Sequence, residues 1–198
     1  MPAKTPAGDK KEIILKAVRT LIAQKGYAGT TVSLVAQEAG VSRGLLHYYF
    51  KNKEDMLVKV IQDVVELSLY LAEATFKKCS TANELADATI LGLRHLVAHD
   101  PDFYPAFIQG VLVARQSRAV DKEIQNLFEG FRQSLETGFA GAIKRGIISP
   151  SISPYGLAAA VTGLIDGVGL QMVADPSLID DEEIWEGVRK SALAMFTT

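Results

Sequence analysis

Cysteine is almost absent from this chain: Cys79 stands alone, which excludes an internal disulfide framework and is compatible with a reducing cytosol. Long uninterrupted apolar runs are missing too. Ile13, Ile14 and Leu15 are followed at once by Lys16 and soon by Arg19, unlike the apolar region of a leader peptide. The most apolar stretch, Leu157 to Ala174, is interrupted by Asp166 and Gln171 and weakened by glycines as a membrane span. The expectation is a soluble, cytoplasmic protein with no membrane partner. No stretch alternates with a period of two, so the fold class reads as all-α. Chemical signatures are lacking as well. There is no nucleophile elbow, phosphate-binding loop or HExxH, and the glycines at 163, 167 and 169 lie inside an apolar helix without the strand a dinucleotide loop needs. No catalytic residue, no cofactor and no enzymatic activity are expected. His95 and His99 share a helix face, with Asp100 and Asp102 after them, but two histidines without cysteine or a third placed histidine do not define a metal site. That pair reads as a helix C-terminus, where imidazoles suit the dipole, and no metal is expected.

What is present is enough apolar material for a substantial core: 198 residues, 48% hydrophobic and 22% charged, a length for one or two compact domains. The net charge of -2 conceals an asymmetry. Residues 1 to 53 hold nine Lys/Arg against three Asp/Glu, so this segment carries +6 and the remainder -8. A basic head on an acidic body favours one end for a polyanion.

The basic head coincides with the most patterned stretch, Thr31 to Leu57. Val32, Val35 and Ala36 put apolar groups on one face of a short helix, and Ala39-Gly40-Val41 breaks the pattern where a tight turn is needed. Gly40 can take the left-handed conformation that closes a helix, and Ser42 offers a hydroxyl to cap the next one. From Ser42 onward Leu46 and Phe50 are core anchors, leaving Arg43, Gly44, His47 and Tyr48 on or beside the other face with no acidic group among them. A DNA major groove admits one such helix. Arg43 can reach base-edge acceptors bidentately, Gly44 lets backbone approach backbone, and Ser42, Tyr48, Tyr49 and Lys53 can donate to phosphate. Asn52 is placed to cap a following helix.

The segment resembles the DNA-binding domain of the tetracycline-repressor (TetR) family. The resemblance rests on Thr30-Thr31, Ala36, Ala39-Gly40-Val41-Ser42, Gly44, Tyr49-Phe50, Lys53 and Leu57, dense over about a quarter of the chain. It implies base-edge contacts from Arg43, Gly44 and His47, and phosphate contacts from Thr31, Ser42, Tyr48, Tyr49 and Lys53. Leu45 and His47 depart from the family's usual small hydroxyl residue and tyrosine, which bears on the operator sequence and not on the DNA-binding role.

The other elements follow from helical periodicity. A first helix covers residues 9 to 25, with Ile13, Ala17, Leu21 and Ile14, Val18, Ile22 as its apolar stripe, ending at Gly26. A long helix is expected from Lys53 to about Lys78, a mechanical link whose pivoting would move the head. Further helices are expected from Leu85 to about Asp100, Tyr104 to Arg118, Val120 to Arg145, Tyr155 to Ala174 and Asp181 to Phe196, with a serine- and proline-rich loop at 147–154. The domain expectation is a helix-turn-helix domain at 1–55 and a helical ligand-binding and dimerisation domain at 56–198. The helix at 155–174 is apolar nearly all round and must be covered on every side, so the last two helices are the candidate homodimer interface, with Gly163, Gly167, Leu170 and Trp185. Aromatic residues with sparse polar groups, Gln109, Asp166 and Gln171, have the composition of a small-molecule site. Phe103, Phe107, Phe128, Phe131, Asp166 and Met172 are its candidate lining, on the strength of the resemblance. The functional expectation is a homodimeric transcriptional regulator, a repressor, that binds a palindromic double-stranded operator and is released by a small-molecule inducer. The alternative is an architectural or adaptor protein whose body contacts another protein.

Overall fold

The computed structural model of the chain describes residues 7–62 and 76–197. Every regular element among these residues is helical: α1 (Ala7–Gly29), α2 (Val32–Glu38), α3 (Arg43–Tyr49), α4 (described over 53–62), α5 (Ala82–His99), α6 (Phe103–Ala114), α7 (Arg118–Lys144), α8 (Pro154–Ala174), a short 3-10 turn at Pro176–Asp180, and α9 (Glu182–Phe196). The all-α expectation is met. The link proper in the expected helix from Lys53 to Lys78 lies outside the described residues, although its start at 53–62 is helical as expected.

The described residues divide into two compact units, 7–62 with 102–125, and 76–101 with 126–197. The first unit thus holds residues 102–125 as well as 7–62. After an excursion of the chain through α5, α6 and the start of α7 return to it, and α6 lies against α1. This return is invisible to a linear reading because it is made by side chains far apart in sequence.

In the first unit α1 buries Ile14, Leu15, Ala17, Val18, Leu21 and Ile22, while Ile13, expected in the apolar stripe, faces solvent at 40% exposure. The helix breaks where glycine was expected to stop it. Gly26 has φ 69 and ψ 167, a conformation L side chains avoid, and one further turn runs to Gly29. α6 contributes buried Tyr104, Ala106 and Gly110, and α4 contributes Met56, Leu57, Val60 and Ile61.

The second unit is built around Phe139 of α7, which is fully buried and has Phe76 and Phe196 rings at 5.6 and 5.4 Å. Cys79, Leu85, Ala86, Leu135, Ala142, Ile148, Leu157, Ala158, Val161 and Ala192 complete this core. Local signals set the helix starts. Thr81 accepts from the Glu84 N–H at 3.1 Å, Ser153 from Gly156 at 3.1 Å with Pro154 opening α8, and Asp181 from Glu183 at 2.9 Å. α9 is tied to α5 by the Arg94–Glu182 pair and by Arg189, which donates to Asp87 at 2.8 Å and to Asn83 at 3.2 Å.

Candidate DNA-binding face

The geometry of the candidate site starts at Thr31. Its backbone is extended, its hydroxyl accepts from the Leu34 N–H at 3.3 Å, and α2 begins at the next residue. Seven residues later α2 closes in a Schellman motif: the Gly40 N–H donates to Gln37 O at 3.2 Å and the Val41 N–H to Ala36 O at 2.9 Å. Gly40 sits at φ 62, the left-handed region required at that position. Ser42 then caps α3, accepting from the Leu45 N–H at 3.1 Å.

This framing fixes which side of α3 faces out. Leu46 is fully buried and Phe50, 1% exposed, closes the C-terminus with its N–H on Leu46 O at 2.9 Å. Arg43, Gly44, His47 and Tyr48 are all exposed, Tyr48 at 80%, and Tyr49 is half-buried with its ring edge-on to Tyr48 at 5.2 Å. Of the aromatic run, Phe50 is core and Tyr48 is surface, as the spacing predicts. Among the described residues no acidic side chain pairs with Arg43. The hydroxyls of Thr31 and Ser42 act as acceptors toward the backbone, so each keeps its proton for an outside acceptor such as a phosphate oxygen.

Lys53 is placed differently from a free phosphate donor. Its ammonium donates to Tyr27 O at 2.8 Å and lies 4.1 Å from the centre of the Tyr27 ring, fastening the start of α4 to the end of α1. It is half-buried, and only its remaining N–H groups can serve an anion. Asn52 is engaged locally, accepting from the Asp55 N–H at 2.8 Å while Asp55 accepts from Lys51 at 2.9 Å. Burial first, and the nearby Glu54 carboxylate second, push the Tyr27 hydroxyl above its ordinary range.

Tyr27 and Gln109 were not singled out for this site. The break at Gly26 removes the helical acceptor of the Tyr27 N–H, and Gln109 Oε1 of α6 accepts it instead at 3.2 Å. Thr30, fully buried, donates its hydroxyl to Gly26 O at 2.9 Å and its N–H to Tyr27 O at 3.2 Å. The available signal was a lone amide in the apolar run FYPAFIQGVLVA, read instead as a polar group of a ligand site.

The remaining expected residues are distributed as follows. Phe103 and Phe107 belong to the first unit and stack at 6.0 Å. Phe128, Phe131, Asp166 and Met172 belong to the second, where Met172 is 3% exposed. Burial pushes the Asp166 carboxyl up to about 6, and no hydrogen bond or ion pair reaches it among the described residues. Gln171 is exposed and donates back to Gly167 O at 3.3 Å. On α8, Tyr155, Ala159, Ala160, Gly163, Leu170, Gln171 and Ala174 are exposed and uncharged, with Leu170 at 55%. Trp185 does not join that surface: it is 3% exposed within its own chain and its indole N–H donates to Ile179 O at 2.8 Å, because α9 turns its aromatic face inward. His95 and His99 are exposed with rings 4.0 Å apart, and among the described residues no group of three or more His, Cys, Asp or Glu gathers around a common point.

Residues 14–60 match the model of a family described as bacterial regulatory proteins, tetR family. Over 153 residues the chain is 26% identical to the fatty acid metabolism regulator protein of Bacillus subtilis (strain 168), covering 77% of this chain and 78% of that one. Its fold is similar to that of the fatty acid degradation regulator FadR from Bacillus halodurans, with a TM-score of 0.83 at 20% identity over 96% of this chain and 97% of that one. It is also similar to the transcriptional regulator FadR from Bacillus subtilis in complex with stearoyl-CoA, with a TM-score of 0.77 at 22% identity over 94% and 97% of the two chains. A helix-turn-helix with an outward face of Arg43, Gly44, His47 and Tyr48, matched at residues 14–60 by that family's model, gives this chain a DNA-binding domain of the tetR type.

Proposed function

We propose that the chain is a repressor that binds a palindromic operator as a homodimer and is released by a small-molecule inducer. The observation that carries this reading is the outward face of α3, free of acidic partners among the described residues and held at both ends by capped turns. Arg43, Gly44 and His47 contact base edges, and Thr31, Ser42, Tyr48 and Tyr49 contact phosphate, joined by whatever donor capacity Lys53 retains. In function, residues 1–55 carry the DNA contacts and 56–198 the ligand and dimer contacts, and the protein works in the cytoplasm.

Two observations support the dimer. α8 is the one helix among the described residues long and apolar enough to cross a membrane by length and composition, yet a third of its most apolar window is buried in the chain. The residues on its exposed side are uncharged and mostly small, with the half-buried Asp166 beside them, which suits a second copy packed against it. Gly163, Gly167 and Leu170 lie on that side. Two heads also sum their phosphate contacts and read an inverted repeat, which one seven-residue helix cannot do. For the inducer, the relative in complex with stearoyl-CoA makes an acyl thioester the first compound to try, with Phe103, Phe107, Phe128, Phe131, Asp166 and Met172 as the residues to vary.

The test is selection of tight binders from a randomised duplex library at fixed salt. An inverted repeat with constant half-site spacing is expected; binding that is salt-sensitive but indifferent to sequence overturns the reading. With the operator in hand, an inducer is a compound that raises the melting temperature and weakens operator binding, the two effects being linked by reciprocal coupling.

A further inference from the structure

Three polar side chains between residues 102 and 117 reach back to the DNA-binding unit, spaced about two helical turns apart. Asp102 accepts from the Thr20 hydroxyl of α1 at 2.6 Å. Gln109 accepts from the Tyr27 N–H at 3.2 Å. Ser117, which also caps α7, donates to the Glu54 carboxylate in the first turn of α4. Between them the buried Gly110 lies against Leu57 and Ile61 of α4.

Gln109 occupies the middle of this brace. The peptide it holds is the one left without a helical partner by the break at Gly26. The same residue, Tyr27, accepts from Lys53 at the start of α4 and from Thr30, the residue just before the α2 cap Thr31. One amide thus secures the point where the end of α1, the start of α2 and the start of α4 meet. Without it, Tyr27 keeps a partly buried N–H with no acceptor, and the last turn of α1 is released to move.

We propose that residues 102–117 are a brace of the DNA-binding head, with Gln109 a positioning residue that sets operator affinity through Tyr27 without touching DNA. This rests on the operator-binding reading above and adds to it a residue outside the helix-turn-helix.

The experiment compares the full-length wild type with Gln109→Met, Gln109→Glu and Thr20→Val on the selected operator and on a scrambled duplex, across a salt series. Gln109→Met keeps length and helix propensity but removes the acceptor; Gln109→Glu restores an acceptor oxygen. Gln109→Met is expected to bind the operator about tenfold more weakly with an unchanged salt slope, because it removes no charge. Backbone amide exchange at Tyr27 accelerates in the same variant, and Gln109→Glu recovers most of the affinity and the protection. Thr20→Val, which cuts a different tie, shows a smaller loss of the same kind and serves if Gln109→Met does not fold. Unchanged affinity in the folded variants overturns the proposal. So does a Gln109→Glu as weak as Gln109→Met. A wild type that selects no sequence removes the regulator reading and this one together; a selective wild type matched by Gln109→Met removes this one alone.

Discussion

On α3 Arg43 is exposed beside the exposed Gly44 and His47. Arg43→Ala is expected to cost about 1–3 kcal/mol of operator binding and to relax specificity at one position, measured by titrating a panel of singly substituted operators. Equal loss on every duplex contradicts a base contact. Lys53→Ala is expected to weaken all duplexes alike and also to lower the melting temperature, since the ammonium it removes holds Tyr27. A calorimetric scan showing no change in stability contradicts that double role. Asp166 has a different signature. Its folded pKa is raised to about 6 by burial, so the ionised form is disfavoured in the fold, and stability falls as pH rises from the ordinary carboxylate range through 6. Asp166→Asn is expected to raise the melting temperature at pH 7.5, with the difference from wild type vanishing as pH falls toward 4. A difference independent of pH assigns the effect to something other than this carboxyl. The exposed face of α3 was legible from residue type alone, whereas the attachment of Lys53 was not, because its acceptor lies 26 residues away on another helix.

The elements of the head are short, and helices of seven residues do not persist alone in water. Their termini therefore matter more than their propensities. Gly40→Ala forces a Cβ into the left-handed region and is expected to cost about 1–2 kcal/mol of stability by chemical denaturation. Ser42→Ala removes the α3 cap and costs about 1 kcal/mol. If either variant denatures like wild type, the turn does not depend on that residue. These caps were readable in advance because each closes over three or four residues. The same locality explains why most helix boundaries came within a few residues of expectation: α8 and α9 were each one residue off. Tertiary packing decided the rest. Ile13 shares the period of Ala17 and Leu21 yet faces solvent, and Trp185, an attractive interface anchor by composition, is covered by its own chain.

At the scale of the whole molecule, the proposed dimer makes the exposed side of α8 the residue set to disrupt. Leu170→Arg is expected to shift sedimentation toward the monomer and to weaken operator binding steeply, since two heads no longer share one site. A dimer that survives this change moves the interface away from α8. The helical class, the helix-turn-helix and its outward residues were legible in the chain, since these depend on periodicity, on capping over a single turn and on a glycine at one left-handed position. The sequence by itself did not determine which helices share a compact unit. That α6 belongs with the DNA-binding head, and that a lone amide at 109 completes a peptide at 27, was decided only by the tertiary structure, because an orphaned N–H takes its partner from whatever surface packing brings within 3.2 Å, across 82 residues of chain.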